Sequence, residues 1–219
     1  VPYGEPDIEL TAKIAAIAPE LLTPVQIESY IGISASAISS KYYKTDAELC
    51  AIYLIRAALG DTVLADINYI AEHCEDFSAE AKLYLCAAFA YIGDFSAARE
   101  IYDALYKDFA KTTDNGGLYF KGENAEHSIK LTALALMSAS LVAKTDAVKL
   151  AAYVAGNKSE YDQYILELAS YVKFFMPTEV KPSSFAYRIG NGAETKVDLG
   201  TGRIYNLTLS KRDLEGLEI

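Results

Sequence analysis

SAEAKLYLCAAFAYIGDFSAAREIYDAL, residues 78–105, decides the fold. Ser78 is a good N-cap, and Ala79 to Ile92 is rich in alanine and leucine with no breaker, so it reads as a helix. Gly93 tolerates the left-handed backbone that ends a helix. Asp94 then offers an oxygen to the first amides of the next helix, which is expected to run to Ala110. Helix, Gly-Asp turn, helix is a helical hairpin.

The same turn stands earlier in the chain. Gly60-Asp61 precedes Gly93-Asp94 by 33 residues, and in that register Ala57, Ala65, Tyr69 and Ala71 align with Ala90, Ala98, Tyr102 and Ala104. A period of this size marks stacked hairpins. Other start signals fill in the array. Asp7 opens a helix to Ala18, Thr23-Pro24 opens one to about Ile31, and Thr45-Asp46-Ala47-Glu48 is a capping box for one ending at Gly60. Asp61 is expected to cap a helix to about Cys74, and further helices are expected over residues 125–143, 146–155 and 159–175. Ser34 to Ser40 reads as a connector, and Lys111 to Gly122 as a loop around Asn115-Gly116-Gly117. Ile8-Glu9-Leu10-Thr11-Ala12 is echoed by Ile129-Lys130-Leu131-Thr132-Ala133.

Alanine divides the chain, with 31 of its 33 alanines before Met176. Small side chains let helix axes approach closely. Residues 1–176 are therefore expected to form a mainly α array of hairpins, an arc or partial α/α toroid. After Pro177 the pattern changes to alternation and glycine. Phe185, Tyr187 and Ile189 share one strand face, Asn191-Gly192 is a hairpin turn, a second strand covers about Glu194 to Leu199, and Tyr205, Leu207 and Leu209 form a third. Residues 177–219 thus read as a small antiparallel β meander. Three strands with one apolar face need a support, either the helices or a neighbouring domain.

Composition excludes several function classes. Thirty acidic against 20 basic residues give a net charge of −10, which opposes binding to nucleic acid or an anionic membrane. The longest uncharged apolar run, Leu131 to Ala143, is too short to span a bilayer. Val1 is followed by no signal-like segment, so the chain reads as a domain of a longer protein. Cys50, Cys74 and Cys86 sit in helical, alanine-rich contexts without metal-site spacing, and read as small buried hydrophobes. No cofactor or metal is expected.

Candidate chemistry is sparse. His73, within Glu72-His73-Cys74-Glu75-Asp76, stands at a helix end among residues that point in different directions. His127 follows Glu123 and Glu126 in the first turn of the helix carrying Leu131, and these three form the catalytic candidate. The bland alternative is a solvated first turn whose carboxylates complement the helix dipole. The 17 tyrosines include Tyr53, Tyr84 and Tyr91, which could line a groove, and Tyr119, which could join His127. Nucleotide-binding, serine-hydrolase and zinc-protease motifs are absent from the sequence.

One resemblance follows from these residues. Leu118-Tyr119-Phe120, an acidic gap and Ile129 to Leu136 resemble the α/α-toroid helices of the alpha-2-macroglobulin-like family. Residues 79–105 are similar to late hairpins of that domain in bacterial members, and the β tail resembles the strands that leave it. The resemblance implies a non-enzymatic structural or interaction module of a larger secreted or cell-surface bacterial protein. Its partner would be another domain of the parent chain, or a protein or peptide. A missing N-terminal segment or a partner would then cover one face, which would show as a large apolar patch. The family's thioester Cys with a following Glu-Gln is absent, since Gln26 and Gln163 lie far from any cysteine. Two rival readings are a carbohydrate-active or lyase-type toroid enzyme built on His127, and a TPR-like peptide binder over residues 46–110 with a tyrosine-lined groove.

Overall fold

The computed structural model describes residues 7–23, 25–26, 45–114, 116–157, 164–175, 183–200, 205, 207 and 209–219. The chain divides into two compact units, Val1–Pro177 and Thr178–Ile219. The first is helical and the second carries a small antiparallel sheet.

Helix α1 spans Ile8–Ile17, with the Asp7 carboxylate accepting from Leu10 N–H, and a 3-10 turn follows at Pro19–Leu21. Then come α2 (Asp46–Ala58), α3 (Leu64–Glu72), α4 (Ala79–Ile92) and α5 (Phe95–Phe109). Helices α6 (Ala125–Val142), α7 (Lys144–Gly156) and α8 (Ile165–Phe175) complete the unit among the described residues. Thr45, Ser78 and Asp94 cap as expected, accepting from the amides of Glu48, Ala81 and Ala97. The connector at Ser34 to Ser40 lies outside the described residues, as does most of the helix expected from Thr23-Pro24. Of that helix, Val25 and Gln26 are helical.

Two expectations need correction. Asp61 caps nothing: its carboxylate takes the Arg56 Nε–H at 2.6 Å and the Thr62 N–H at 2.8 Å, and α3 starts later, behind Val63. A charge-assisted bond to a nearly buried arginine outcompetes a capping bond. The supposed loop at Lys111 to Gly122 contains a hairpin, β1 (Ala110–Thr112) paired antiparallel with β2 (Leu118–Phe120). Leu118 and Phe120 are buried and Tyr119 is half-buried, an alternation too short to read beside the Asn-Gly-Gly turn.

The repeat is real, but only half of it stays in register. Gly60 and Gly93 both adopt the left-handed backbone, with φ of 82° and 92°. Each following Asp N–H bonds the carbonyl five residues back, at 2.9 Å in both turns. Cys50–Ala57 and Leu83–Ala90, 33 residues apart, are buried throughout. Beyond the turn the buried face is Val63, Ile67 and Ile70 in one hairpin and Ala98, Tyr102 and Leu105 in the other, a spacing of 35. Counted from its turn, the apolar face begins two residues sooner in the first hairpin, at Val63, than in the second, at Ala98. Tyr69 is accordingly 57% exposed, whereas its sequence-aligned partner Tyr102 is fully buried.

The hairpins form more than an arc. Helices α1, α2, α4, α6 and α8 each touch the next, and α8 packs back on α1, so the inner helices close a circuit. Helices α3, α5 and α7 pack outside it against their chain neighbours. This explains why α4 and α6 lack a polar face: every residue from Leu131 to Ser140 is buried. The α1–α8 seam is fastened at both ends. Lys13 Nζ lies 2.6 Å from Glu167 Oε1, and Lys173 Nζ donates to the last carbonyls of α1, Ala16 at 3.2 Å and Ile17 at 2.7 Å. Tyr91 Oη donates to the Ala16 carbonyl as well. Near this seam Leu10 on α1 and Ile165, Val172 and Phe175 on α8 remain exposed.

In the second unit, β3 (Ser183–Ile189) pairs with β4 (Thr195–Gly200), matching Phe185 with Val197. A short helix α9 (Lys211–Glu215) leads into β5 (Leu217–Glu218), which pairs with the other edge of β3 through Ile189 and Leu217. The order is β4-β3-β5. The third strand expected at Tyr205 to Leu209 is therefore displaced. Tyr205, Leu207 and Leu209 are not in a strand, and the rest of the segment lies outside the described residues. Tyr205 instead sets its ring against Phe185 at 5.7 Å and Tyr187 at 6.3 Å.

Candidate functional site

The first turns of the inner helices meet in a cluster of charged and polar groups. His127 on α6 donates from Nε2 to Glu80 Oε1 on α4 at 2.8 Å, and its Nδ1 accepts the Glu123 N–H at 3.2 Å. One helical turn deeper, buried Tyr84 donates to Glu9 Oε2 at 3.1 Å, and Lys130 lies 3.6 Å from the same oxygen. Lys13 and Glu167 add the pair at the seam. Three glutamates in first turns complement the helix dipoles. Burial and the nearby Glu9 carboxylate push the Tyr84 phenol well above its ordinary pKa.

This geometry bears on the catalytic candidates. Glu123 and Glu126 are exposed, and the carboxylate that meets His127 is Glu80, which was not among them. Because Nδ1 accepts a backbone amide, the ring proton resides on Nε2 and is given to Glu80. Both ring nitrogens are hydrogen-bonded within the protein. The pair ties α4 to α6. Gly122 approaches this site so closely that an added Cβ would lie 2.8 Å from His127 Cγ.

The tyrosine candidates are dispersed. Tyr53 and Tyr84 have no exposed surface, so they line no groove. Tyr91 is half-buried and seals the end of α1, with its ring edge-on to Phe174 at 5.9 Å. Tyr119 stacks on Tyr153 of α7 at 5.0 Å and 12°. His73 caps the end of α3, with Nδ1 2.8 Å from the Tyr69 carbonyl. Cys50 and Cys86 are buried, as expected, while Cys74 is half-buried, and all three are free thiols.

A cavity of about 530 Å³ opens elsewhere, between the outer helices α3 and α5. Its floor is Phe89 of α4, closed at one end by Cys74 and Phe77. One wall is α3, with Asn68, Ala71 and Glu72. The other is a ridge of α5 at four-residue spacing, Ala97, Ile101, Leu105 and Phe109, bordered by the row Glu100, Ala104 and Asp108. The volume is in the roughly 300–1,000 Å³ range of ligand-sized clefts. The sequence did contain a signal for it. Helix α5 needs only Ala98, Tyr102 and Leu105 to face the core, and its apolar stripe is one row wider than that.

Among the described residues, no group of three or more His, Cys, Asp or Glu side chains could hold a metal ion. No helix among them is long and apolar enough to cross a membrane. No family model matches the chain, and no curated protein matches it either.

Proposed function

We propose that this chain is a non-enzymatic interaction module of a larger protein, secreted or displayed on a bacterial surface as the alpha-2-macroglobulin-like resemblance implies. The observation that carries this reading is the contrast between two sites. The titratable groups around His127 satisfy one another, while the α3–α5 cleft is apolar, open and unpartnered among the described residues. A cleft walled by alanines and phenylalanines offers contact area without chemistry, which suits a peptide or protein segment. The closed circuit of inner helices supports the toroid part of the reading. The TPR-like alternative survives in modified form, with the groove moved from the tyrosines to α3 and α5.

A displayed peptide library panned on the whole chain tests the reading. The expected result is enrichment of mutually competing peptides whose binding is lost in Ala104→Trp, which fills the cleft from an exposed position. Failure to enrich any such peptide, with turnover of a polysaccharide that is lost in His127→Ala, would instead establish the enzyme reading.

A further inference from the structure

Resting on that reading, we infer that the α3–α5 cleft receives an amphipathic helix with an apolar stripe and basic flanks. The cleft's shape selects the secondary structure. Its floor and α5 ridge run from Ala97 to Phe109, about 18 Å at the helical rise per residue. A partner helix laid along this ridge places side chains at i, i+3, i+4 and i+7 between α3 and α5, the ordinary ridge-into-groove fit. The two walls belong to helices that pack on the inner circuit, so a bound helix would complete the outer layer between them.

The rim selects the charge. Glu72 stands on the α3 side, and Glu100 and Asp108 stand one row above the ridge on α5. All three are exposed. Lys82 is the single cation among the described lining residues, and its Nζ is already given to the Glu75 carbonyl at 2.8 Å. The cleft thus presents an apolar floor with three carboxylates along its two edges against a single lysine. Lysines or arginines flanking the apolar stripe of the incoming helix would meet these carboxylates at the solvent-exposed rim, where charge sets partner choice and association rate.

The test is fluorescence anisotropy of three synthetic peptides of about four helical turns, sharing one leucine stripe and flanked by lysine, glutamine or glutamate. The lysine peptide is expected to bind best and to become helical by circular dichroism. It should weaken about tenfold in Glu100→Gln/Asp108→Asn, and lose binding in Ala104→Trp although the rim charges are intact there. The non-specific pull of an acidic protein would leave binding in Ala104→Trp unchanged, and that result overturns the proposal. Equal binding of the glutamine or glutamate peptide, abolished by Ala104→Trp, overturns the basic helix but keeps the interaction reading. No binding of any peptide to the folded chain overturns both.

Discussion

Gly122 is the residue at which backbone and site chemistry meet. A Cβ there would press on the His127 backbone carbon at 2.8 Å and the Ser128 nitrogen at 2.9 Å, both fixed in the first turn of α6. Its own N–H is held by Ser128 Oγ at 2.9 Å. Gly122→Ala should therefore cost about 1–3 kcal/mol, seen as a lower urea midpoint at constant slope. The cysteines give a second prediction. Burial pushes the Cys86 thiol up to about 12 and raises Cys50 further. Both are raised relative to the unfolded chain, so their contribution is complete below pH ~9 and falls as pH rises, by up to about 1.4 kcal/mol per unit for each thiol. Urea midpoints should decline above pH ~9, and a thiol reagent at neutral pH should label half-buried Cys74 first. Labelling of Cys50 or Cys86 in the folded chain would contradict this. At this scale the caps were legible because Thr45, Ser78 and Asp94 carry their function in their own chemistry. Glu80 was not, because nothing near it in sequence announces a histidine 47 residues away.

At the scale of elements, the small hairpin shows why the aromatic pair and the Thr-Ala step belong together. Thr132 Oγ1 donates to the Ser128 carbonyl at 2.5 Å and accepts the Phe120 N–H at 3.0 Å, so α6 holds the buried edge of β2. Thr132→Val keeps the shape and leaves that amide unsatisfied, at a cost of about 1–3 kcal/mol. Hydrogen exchange at the Phe120 amide should speed up more than at core amides of α4. Equal protection in both proteins would contradict the clamp. The repeat teaches a related lesson. Alanines and tyrosines aligned at one spacing, yet the buried faces of α3 and α5 follow another. Which residues of a repeat face the core depends on what packs against them, and single-sequence alignment does not see that. The third strand shows the same limit, since the edge of β3 is taken by Leu217 and Glu218 and not by the alternating segment at Tyr205.

Across the whole molecule, helix content and the change after Met176 were readable from alanine and glycine usage. The closure of the circuit was not, because it depends on contacts between α1 and α8. Glu167 is only 2% exposed, and Lys13 is its partner. Lys13→Met would leave a buried carboxylate alone and cost about 3–5 kcal/mol, while Lys13→Met/Glu167→Leu should recover most of the loss. No recovery in the double variant, measured by urea unfolding, would contradict a seam that rests on this pair. The cleft was hidden for another reason: its alanines and phenylalanines resemble core, and only the extra apolar row of α5 separates it from core. The proposed function has this molecule bind a partner in that cleft, with His127 in a tying role. The most direct measurement is a backbone amide NMR titration of the chain with the lysine-flanked helical peptide. The account predicts shifts concentrated at Ala71, Ala97, Ile101, Ala104 and Phe109. Shifts centred on Glu80, His127 and Lys130, with the cleft amides unmoved, would contradict it.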